Sequence, residues 1–156
     1  MRTDVTVVPV DSDNWRAAVA VQVPDEQLAF VAAHQPVALL ILAKAYLRLR
    51  ERRWTPLAIT TTADGVVGVV ALADRDGTCE VLHLVVDAEH QGAGIATAAM
   101  AAISTFARTA LGCRRLELTV HPDNVVAQRL YTSAGYRPTG AHRHDEPVWS
   151  RDVSLD

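Results

Sequence analysis

The stretch Leu82-His83-Leu84-Val85-Val86-Asp87-Ala88-Glu89-His90-Gln91-Gly92-Ala93-Gly94-Ile95-Ala96, with the alanine-rich run that follows it to Met100, decides how this chain folds. Its apolar, β-branched start predicts a strand that ends at Asp87, and its alanine-rich end predicts a helix. Glycines in the polar connection allow the backbone to turn tightly and to approach a ligand closely. The N–H groups in the first turn of a helix favour a bound anion. The stretch therefore predicts a strand–loop–helix unit that can hold a phosphate group.

The sequence of this loop allows three interpretations. A dinucleotide-binding loop requires G-x-G-x-x-G directly after the strand. Here Thr97 occupies the third glycine position, and several polar residues separate the glycines from the strand. An ordinary strand–loop–helix connection would need no ligand. The third interpretation is the acyl-CoA loop Q/R-x-x-G-x-G/A, which Gln91, Gly94 and Ala96 match in register after a Val-x-Asp strand end. In this respect the chain resembles the GNAT superfamily of N-acetyltransferases.

A second motif lies downstream, between Asn124 and Tyr136. It resembles the GNAT signature N-x-x-A-x-x-L-Y-x-x-x-G-F/Y and matches it at every named position. Two outer segments, 23–32 and 139–148, are similar to parts of the bacterial spermine/spermidine (diamine) N-acetyltransferases. The run 82–85 differs from the aromatic-Arg-Phe-Met run of those enzymes. The two motifs together identify the chain as a member of the superfamily, and the outer segments favour a polyamine acceptor.

The composition indicates a single globular domain, residues 1–156. Hydrophobic residues make up 49% of the chain and charged residues 21%, and no apolar run is long enough to span a membrane. A formal net charge of −3 argues against nucleic-acid binding. The N-terminus has no apolar segment typical of a signal peptide, so a cytoplasmic location is expected. Cys79 and Cys113 form no CxxC pair, and each is predicted to be a small buried residue of a strand.

The predicted order of elements is β-αα-βββ-α-β-α-ββ. The resemblance implies the GNAT fold, an α/β (α+β) fold whose mixed, mostly antiparallel central sheet is flanked by helices. Strands are expected at about 3–10, 56–62, 66–73, 78–87, 113–120, 136–141 and 147–153. Helices are expected at about 11–21, 24–33, 37–52, 95–111 and 124–134. The helix at 37–52 is predicted to be amphipathic, with an apolar face formed by Leu39, Leu40, Ala43, Tyr46 and Leu47.

The resemblance implies acetyl-CoA as cosubstrate. The backbone N–H groups of Gln91 to Ala96 would hold its pyrophosphate, and Ala93 stands where most relatives have Lys or Arg. The strand that carries Val86 would diverge from the next strand, so that the pantetheine arm pairs with its edge and the Val86 N–H contacts the thioester carbonyl. Asn124 is expected to cap the last helix. The predicted cofactor-binding residues are Leu84, Val85, Val86, Gln91, Gly92, Ala93, Gly94, Ile95, Ala96, Asn124, Ala127 and Tyr131.

Acetyl transfer to an amine also requires an acid for the departing thiolate and a base for the ammonium. Tyr131 matches the family's general acid, since a phenol with a pKa of about 10 can donate a proton at neutral pH. Packing in the core is its alternative role. Glu80 is the predicted base, because strand alternation would put it on the same face as Val86, and histone acetyltransferases of the superfamily carry a catalytic Glu at this position. His121, His83 and water are the other candidates for the base.

The last loop is rich in groups that can bind cations. His142 and His144 lie close to Asp145-Glu146, but the spacing lacks a second set of metal ligands and favours a solvated turn. The carboxylates of this loop, together with Asp25-Glu26, could form an acidic rim that attracts a polyamine. Solvation of exposed charges is the simpler explanation of both pairs.

We therefore expect a GNAT enzyme that moves an acetyl group from acetyl-CoA to a primary amine of a small, polyamine-like molecule, by direct attack in a ternary complex. Another small amine, or a protein or peptide amine, is an alternative acceptor. A noncatalytic acyl-CoA-binding module is the alternative from a different functional class, against which Tyr131 and Asn124 argue. Neither nucleic acid, a membrane nor a metal is an expected partner, and the chain could form a homodimer.

Overall fold

The computed structural model describes residues 4–31 and 36–154. The helices are Trp15–Val19 (α1), Leu28–Val31 (α2), Val37–Leu47 (α3), Ile95–Leu111 (α4) and Val125–Ser133 (α5). The strands are Val5–Pro9 (β1), Arg53–Thr61 (β2), Gly65–Arg75 (β3), Thr78–Val86 (β4), Arg115–Thr119 (β5), Arg137–Arg143 (β6) and Glu146–Asp152 (β7). The predicted order of the strands and of the last two helices is confirmed, but the region between β1 and β2 contains three helices, α1, α2 and α3, where the predicted order has two. Thr3 of the predicted first strand and residues 32–33 of the predicted second helix lie outside the described residues.

In the part of the chain that the structure describes, the strands form one seven-stranded sheet in the order β1-β2-β3-β4-β5-β7-β6. Neighbouring strands are antiparallel except β4 and β5, which are parallel. The β2–β3–β4 meander follows from its Asp-Gly turns, in which Gly65 and Gly77 have φ of +69° and +85°. The parallel pair needs a long crossover connection, and α4 provides it.

Helices cover both faces of the sheet. On one face, Met100 of α4 and Leu116 of β5 belong to the larger buried cluster. On the other face, Ile41 of α3 and Ala71 of β3 belong to a second cluster. None of the described helices is long and apolar enough to cross a membrane. The sheet thus separates an α4 side from an α3 side, and this division positions the site described below.

Helix α3 is shorter than predicted and buries a different face. It ends at Leu47 because Arg48 adopts a left-handed conformation, with φ 51°, and Leu49–Glu51 continues as a 3-10 turn. The side chains that contact the sheet differ from those of the predicted apolar face. The buried residues are Val37, Ala38 and Ile41, and the exposed ones include Leu39, Tyr46 and Leu47. The predicted face is wrong because this helix is apolar on nearly every side, so its pattern does not select one.

Other boundaries differ locally from the predicted ones. Helix α1 ends at Val19, and Asp25–Gln27 is a 3-10 turn ahead of α2. Cys79 lies in β4 as predicted, but Cys113 precedes β5, and both thiols are buried and free. Cys113 cannot start the strand because its N–H still donates to the carbonyl of Ala107, 2.9 Å away, at the end of α4.

Candidate active site

Strands β4 and β5 separate partway along their length. They pair where Thr78–Glu80 meets Arg115–Glu117, and no pair beyond these is found among the described residues. Glu80 and Glu117 form the last pair and therefore mark the apex of a V-shaped opening. Beyond the apex, β4 presents an unpaired backbone edge along one side of the opening. Such an edge can bind an extended ligand as an added strand would be bound.

A bulge in β4 changes which side chains share a face. The register pairs Ala71 with Leu82 and Val69 with Val85. Two residues, His83 and Leu84, therefore oppose the single residue Val70. His83 has φ 58°, which is an unusual value for a residue other than glycine. A bulge of this kind inserts one extra residue and so reverses the side-chain alternation beyond it.

The prediction that Glu80 and Val86 share a face is wrong for this reason. Val86 belongs to the cluster on the α4 side. Leu82, which shares its face with Glu80 by alternation, packs on the α3 side. Glu80 therefore lies at the apex of the opening on the α3 side, opposite the side chain of Val86.

The backbone of Val86 is directed into the opening. Val86 lies opposite Gly68 of β3, and the next N–H, of Asp87, donates to the carbonyl of Val67 at 2.7 Å. Because backbone groups alternate in direction along an antiparallel strand, the N–H and C=O of Val86 face the β5 side. Gly68 allows the strands to approach this closely, since a Cβ there would lie 2.5 Å from the carbonyl oxygen of Val85.

Hydrogen bonds anchor the loop between β4 and α4. The Asp87 carboxylate accepts the Gln22 N–H at 2.8 Å and lies 3.1 Å from Nδ1 of His90. Burial alone would raise the pKa of Asp87, but the hydrogen bonds from Gln22 and His90 outweigh it and lower that pKa. Nε2 of Gln91 donates to the carbonyl of Val86 at 2.7 Å. The start of the loop is therefore tied to the end of β4.

The glycines of this loop are exposed at the N-terminus of α4. Gly92 and Gly94 have φ of +79° and +74°, and a Cβ on either would meet nothing within 4 Å. Gly94 is the N-cap and has no side chain to satisfy the first N–H groups of the helix. Ala93 is exposed in the same loop, whereas the Ile95 side chain is buried. An open depression with about 280 Å³ of empty space is lined by Val86, His90, Gln91, Gly92, Gly94, Ile95, Ala96 and Thr97.

Helix α5 carries the second motif. Asn124 caps it, as predicted, because its side-chain oxygen accepts the Ala127 N–H at 3.1 Å. Tyr131 packs against the cluster on the α4 side, and its ring lies 6.1 Å from that of Tyr136. Burial raises the pKa of Tyr131 to about 12. The hydroxyl therefore stays protonated throughout the neutral range and can act as a proton donor.

Three guanidinium groups surround Glu80. Its side chain is 2% exposed, and its Oε2 lies 3.0 Å from Arg143, 3.2 Å from Arg52 and 3.5 Å from Arg50. Arg143 also lies 3.2 Å from Glu117 and so bridges the last pair of the two strands. All three of these distances are to the same carboxylate oxygen, Oε2.

One more basic side chain, Lys44, lies on the α3 side. Nζ of Lys44 is 2.9 Å from Nε2 of His83, and Arg50 is 3.4 Å from Nε2 of His144. Burial, followed by repulsion from Arg50, lowers the pKa of Lys44, although attraction to Glu80 acts in the other direction. The α3 side of the opening is thus predominantly cationic.

His121 lies on the other strand of the opening, just after β5. Its side chain is 44% exposed, and its ring lies 5.3 Å from that of Phe30 in α2. Its Nδ1 accepts the Asp123 N–H at 3.1 Å. A neutral ring in this arrangement carries its proton on Nε2. It would have to break the Asp123 bond before it could take a proton from a substrate.

The arginines around Glu80 were not predicted from the sequence. Nothing in the local sequence distinguishes Arg52 or Arg143, because they meet only in the folded chain. One signal was available: an isolated glutamate within the apolar run of β4 needs a cationic partner when it is buried. The basic segment 48–53, just ahead of β2, could have supplied that partner.

The two histidines of the last loop do not form a metal site. His144 and Asp145 form the turn between β6 and β7, with φ of 50° and 64°, and the predicted turn is confirmed. Across residues 4–31 and 36–154, no group of three or more His, Cys, Asp or Glu side chains could hold a metal ion.

Residues 21–136 match the family model described as the acetyltransferase (GNAT) family. Human N-acetyltransferase 8B is 35% identical over 94 residues, which are 58% of this chain and 40% of that protein. Human N-acetyltransferase 8 is 31% identical over 117 residues, which are 73% of this chain and 50% of that protein. The chain therefore spans at most about half the length of these curated relatives.

Two solved structures share the fold. A spermidine N-acetyltransferase from Vibrio cholerae, in complex with CoA and spermine, has a TM-score of 0.73 at 16% identity and covers 97% of this chain and 96% of its own. A PaiA N-acetyltransferase from Thermoplasma acidophilum, in complex with CoA, has a TM-score of 0.70 at 12% identity. The match covers 96% of this chain and 99% of that protein's chain. The family model covers most of the chain and agrees with the two motifs and with the divided sheet. The chain therefore belongs to the GNAT family of acetyltransferases.

Proposed function

We propose that this protein transfers an acetyl group from acetyl-CoA to a primary amine of a small molecule, by direct attack in a ternary complex. The observation that carries the proposal is the opening between β4 and β5, which lies beside the exposed glycine loop of α4. A noncatalytic CoA-binding module would need the same opening, but it would not need a protonated tyrosine on α5. Tyr131 therefore favours the enzyme.

The donor would bind along the loop and the free edge of β4. The N–H groups around Gly94 suit the pyrophosphate, because both the helix dipole and the unpaired donors favour an anion. The pantetheine arm suits the unpaired edge from Leu84 to Val86. The N–H of Val86 would stabilise the oxyanion of the thioester carbonyl, and one such donor contributes about 2.7–4 kcal/mol in comparable enzymes.

The proposed reaction uses two side chains, together with water, to move its protons. The amine nitrogen attacks the thioester carbon, the C–S bond breaks, and its electron pair leaves with the sulfur. Tyr131 protonates the departing thiolate. Before the attack, Glu80 takes one proton from the substrate ammonium, directly or through one water. The nitrogen loses its second proton to water as the amide forms, and water returns a proton to the Tyr131 phenolate. Glu80 can play this role from the α3 side. The Val86 N–H that would bind the thioester oxygen lies in the plane of the sheet, so the base does not have to share a face with the Val86 side chain.

His121 and His83 are weaker candidates for the base. His121 already accepts the Asp123 N–H, and His83 lies against the Lys44 ammonium. Both bonds would have to rearrange before either ring accepted a proton. Water remains the alternative to Glu80.

The chemical class of the acceptor is a separate part of the proposal. Outer sequence segments and a relative crystallised with spermine favour a polyamine. An acidic rim of Asp25-Glu26 and Asp145-Glu146 would attract one, yet the side chains nearest the apex are arginines. Another small amine or a peptide amine is the alternative. A homodimer and a cytoplasmic location stay predictions, and the exposed Leu39, Tyr46 and Leu47 of α3 are available to an interface.

Two measurements test the proposal. Acetyl-CoA should raise the melting temperature of the protein by mass action, and Gly94→Asp should abolish that rise because its carboxylate would meet the pyrophosphate. Gly94→Ala is the matched control, since it brings the same backbone strain without the charge and should keep the rise. Release of free CoA thiol with a panel of amines tests catalysis. A protein that binds acetyl-CoA but releases no thiol with any amine would be a binding module.

A further inference from the structure

The α3 side of the opening carries more positive than negative charge. The carboxylates in ion pairs there are Glu80 and Glu117, and the guanidiniums paired with them are Arg50, Arg52, Arg115 and Arg143. Glu146, opposite Arg143 in the β6–β7 register, adds a third carboxylate and leaves the positive charges in excess. Lys44 adds an ammonium, whose pKa is lowered first by burial and then by repulsion from Arg50. Glu51 does not compensate for this excess, because it is 90% exposed and its nearest ion-pair partner is Arg75, at 3.9 Å. The cluster can therefore accept at least one more anion.

Of the three guanidiniums around Glu80, Arg50 has the weakest internal contacts. It lies 3.5 Å from Glu80 and 3.4 Å from His144, at the long limit for hydrogen bonds. Its side chain is 42% exposed, against 21% for Arg52 and 25% for Arg143. Arg50 also has φ 60°, which is a strained value for a residue other than glycine. Strain of this kind persists where the surrounding structure enforces it, and it is frequent at ligand-binding sites.

We infer that the acceptor is an α-amino acid, or a molecule that contains a free α-amino acid group, and that Arg50 binds its carboxylate. This inference rests on the proposed acetyl transfer. One carbon separates the amine from the carboxylate in such a molecule, and Glu80 and Arg50 are in direct contact. The amine can therefore lie beside the Glu80 carboxylate, directly or across one water, while its own carboxylate accepts hydrogen bonds from Arg50. A polyamine would instead bring several ammonium groups against the arginines.

Thiol release with matched acceptors tests the inference. Each set contains an α-amino acid, its amide and its decarboxylated amine, for example L-phenylalanine, L-phenylalaninamide and phenethylamine. A second set is built on L-methionine, and spermidine is included alone. We expect kcat/KM for the amino acid to exceed that for its two analogues by at least about tenfold. The amide is the stringent comparison, because its α-amino group has a lower pKa and is more often deprotonated at neutral pH.

A pair of variants assigns the preference to Arg50. Arg50→Gln should raise KM for the amino acid by about 10- to 100-fold, as expected when a charged hydrogen-bond partner is lost. KM for acetyl-CoA should stay near wild type. Turnover of the amide should fall far less than that of the amino acid, although Arg50 also pairs with Glu80. Arg48→Gln is the matched control, because Arg48 lies in the same turn with a similar φ of 51° and is exposed. It should leave all of these constants unchanged.

The outcomes separate this inference from the proposed function. Turnover of spermidine or of the uncharged analogues at or above that of the amino acids would overturn the inference and leave the acetyltransferase intact. An equal loss of amino acid and amide turnover in Arg50→Gln would also overturn it, because Arg50 would then support Glu80 rather than bind a carboxylate. Acetyl-CoA binding without thiol release from any acceptor would overturn both.

Discussion

Gly68→Ala tests whether the close approach of β3 to β4 positions the Val86 N–H. The new Cβ would lie 2.5 Å from the carbonyl oxygen of Val85 and 3.1 Å from Cδ1 of Ile59. The oxygen belongs to the backbone, so β4 itself must move by about half an ångström to restore a tolerable contact. Overpacking of this kind costs about 1–3 kcal/mol. For a chain of this size we expect the melting temperature to fall by roughly 2–12 °C.

The same displacement should reduce catalysis beyond its effect on stability. A misplacement of about 1 Å can cost about a hundredfold in rate, so a shift of half that size should lower kcat by roughly tenfold. Thermal melts and thiol release measured well below the melting temperature provide the two readouts. KM for acetyl-CoA should change less than kcat, because the phosphate cradle lies beyond the displaced part of β4.

Gly65→Ala is the matched control for Gly68→Ala. Gly65 has φ +69° and open space around it, so alanine there brings backbone strain of about 1–2 kcal/mol without a clash. We expect a similar loss of stability with normal kcat. A Gly68→Ala protein with wild-type kcat, or a parallel loss of kcat in both variants, would refute the argument that this contact positions Val86.

Three further predictions concern side chains of the site. Tyr131→Phe should lower kcat by about 10² to 10⁴ with little change in acetyl-CoA binding, as expected for the loss of a general acid. Glu80→Gln should be slow at neutral pH in thiol release and recover partly above about pH 9, where more of the amine is already deprotonated. Asp87→Asn should destabilise the protein in urea denaturation at neutral pH. Because the folded pKa of Asp87 lies below 3.8, this difference should persist above about pH 5 and shrink as the pH falls through that folded pKa.

Control variants, or results that would contradict them, accompany the predictions for Tyr131, Glu80 and Asp87. Tyr136→Phe should keep full turnover, because the buried Tyr136 hydroxyl has no hydrogen-bond partner among the described residues. Turnover within about twofold of wild type in Tyr131→Phe would assign that residue to core packing. Glu117→Gln removes another carboxylate from Arg143 and controls for disruption of the ion-pair cluster. If Glu80→Gln and Glu117→Gln were slowed alike at every pH, Glu80 would be a structural residue. A constant stability difference for Asp87→Asn between pH 3 and pH 7 would contradict the lowered pKa.

The features that the sequence predicted depend on contacts within a few residues. The Asp64-Gly65 turn, the cap of Asn124 on Ala127 and the glycine loop around Gly94 all follow from local backbone chemistry. Motif spacing adds to this, because a helix start and a phosphate cradle must follow a strand end at a defined distance. The family, the order of the strands and the position of the glycine loop between β4 and α4 could therefore be predicted before any tertiary contact was known.

Tertiary structure alone decided the arrangement around the apex. The bulge at His83 depends on the register of β4 against β3, and one extra residue moves Glu80 to the face opposite Val86. Alternation within one strand carries no information about such a slip. The buried face of α3 likewise depends on the sheet, since a helix that is apolar on nearly every side shows no preferred orientation in its own sequence.

The arginine cluster is the clearest case of a feature that is invisible along the chain. Arg50 and Arg143 are distant in sequence, and each is an ordinary surface cation in its local context. They meet at Glu80 because the turn after α3 and the β6–β7 hairpin both close over the point where β4 and β5 separate. The buried carboxylate then requires cationic partners whose identity only the folded chain can supply. The sequence by itself determined the family and the glycine loop ahead of α4, and the fold determined which charges surround Glu80.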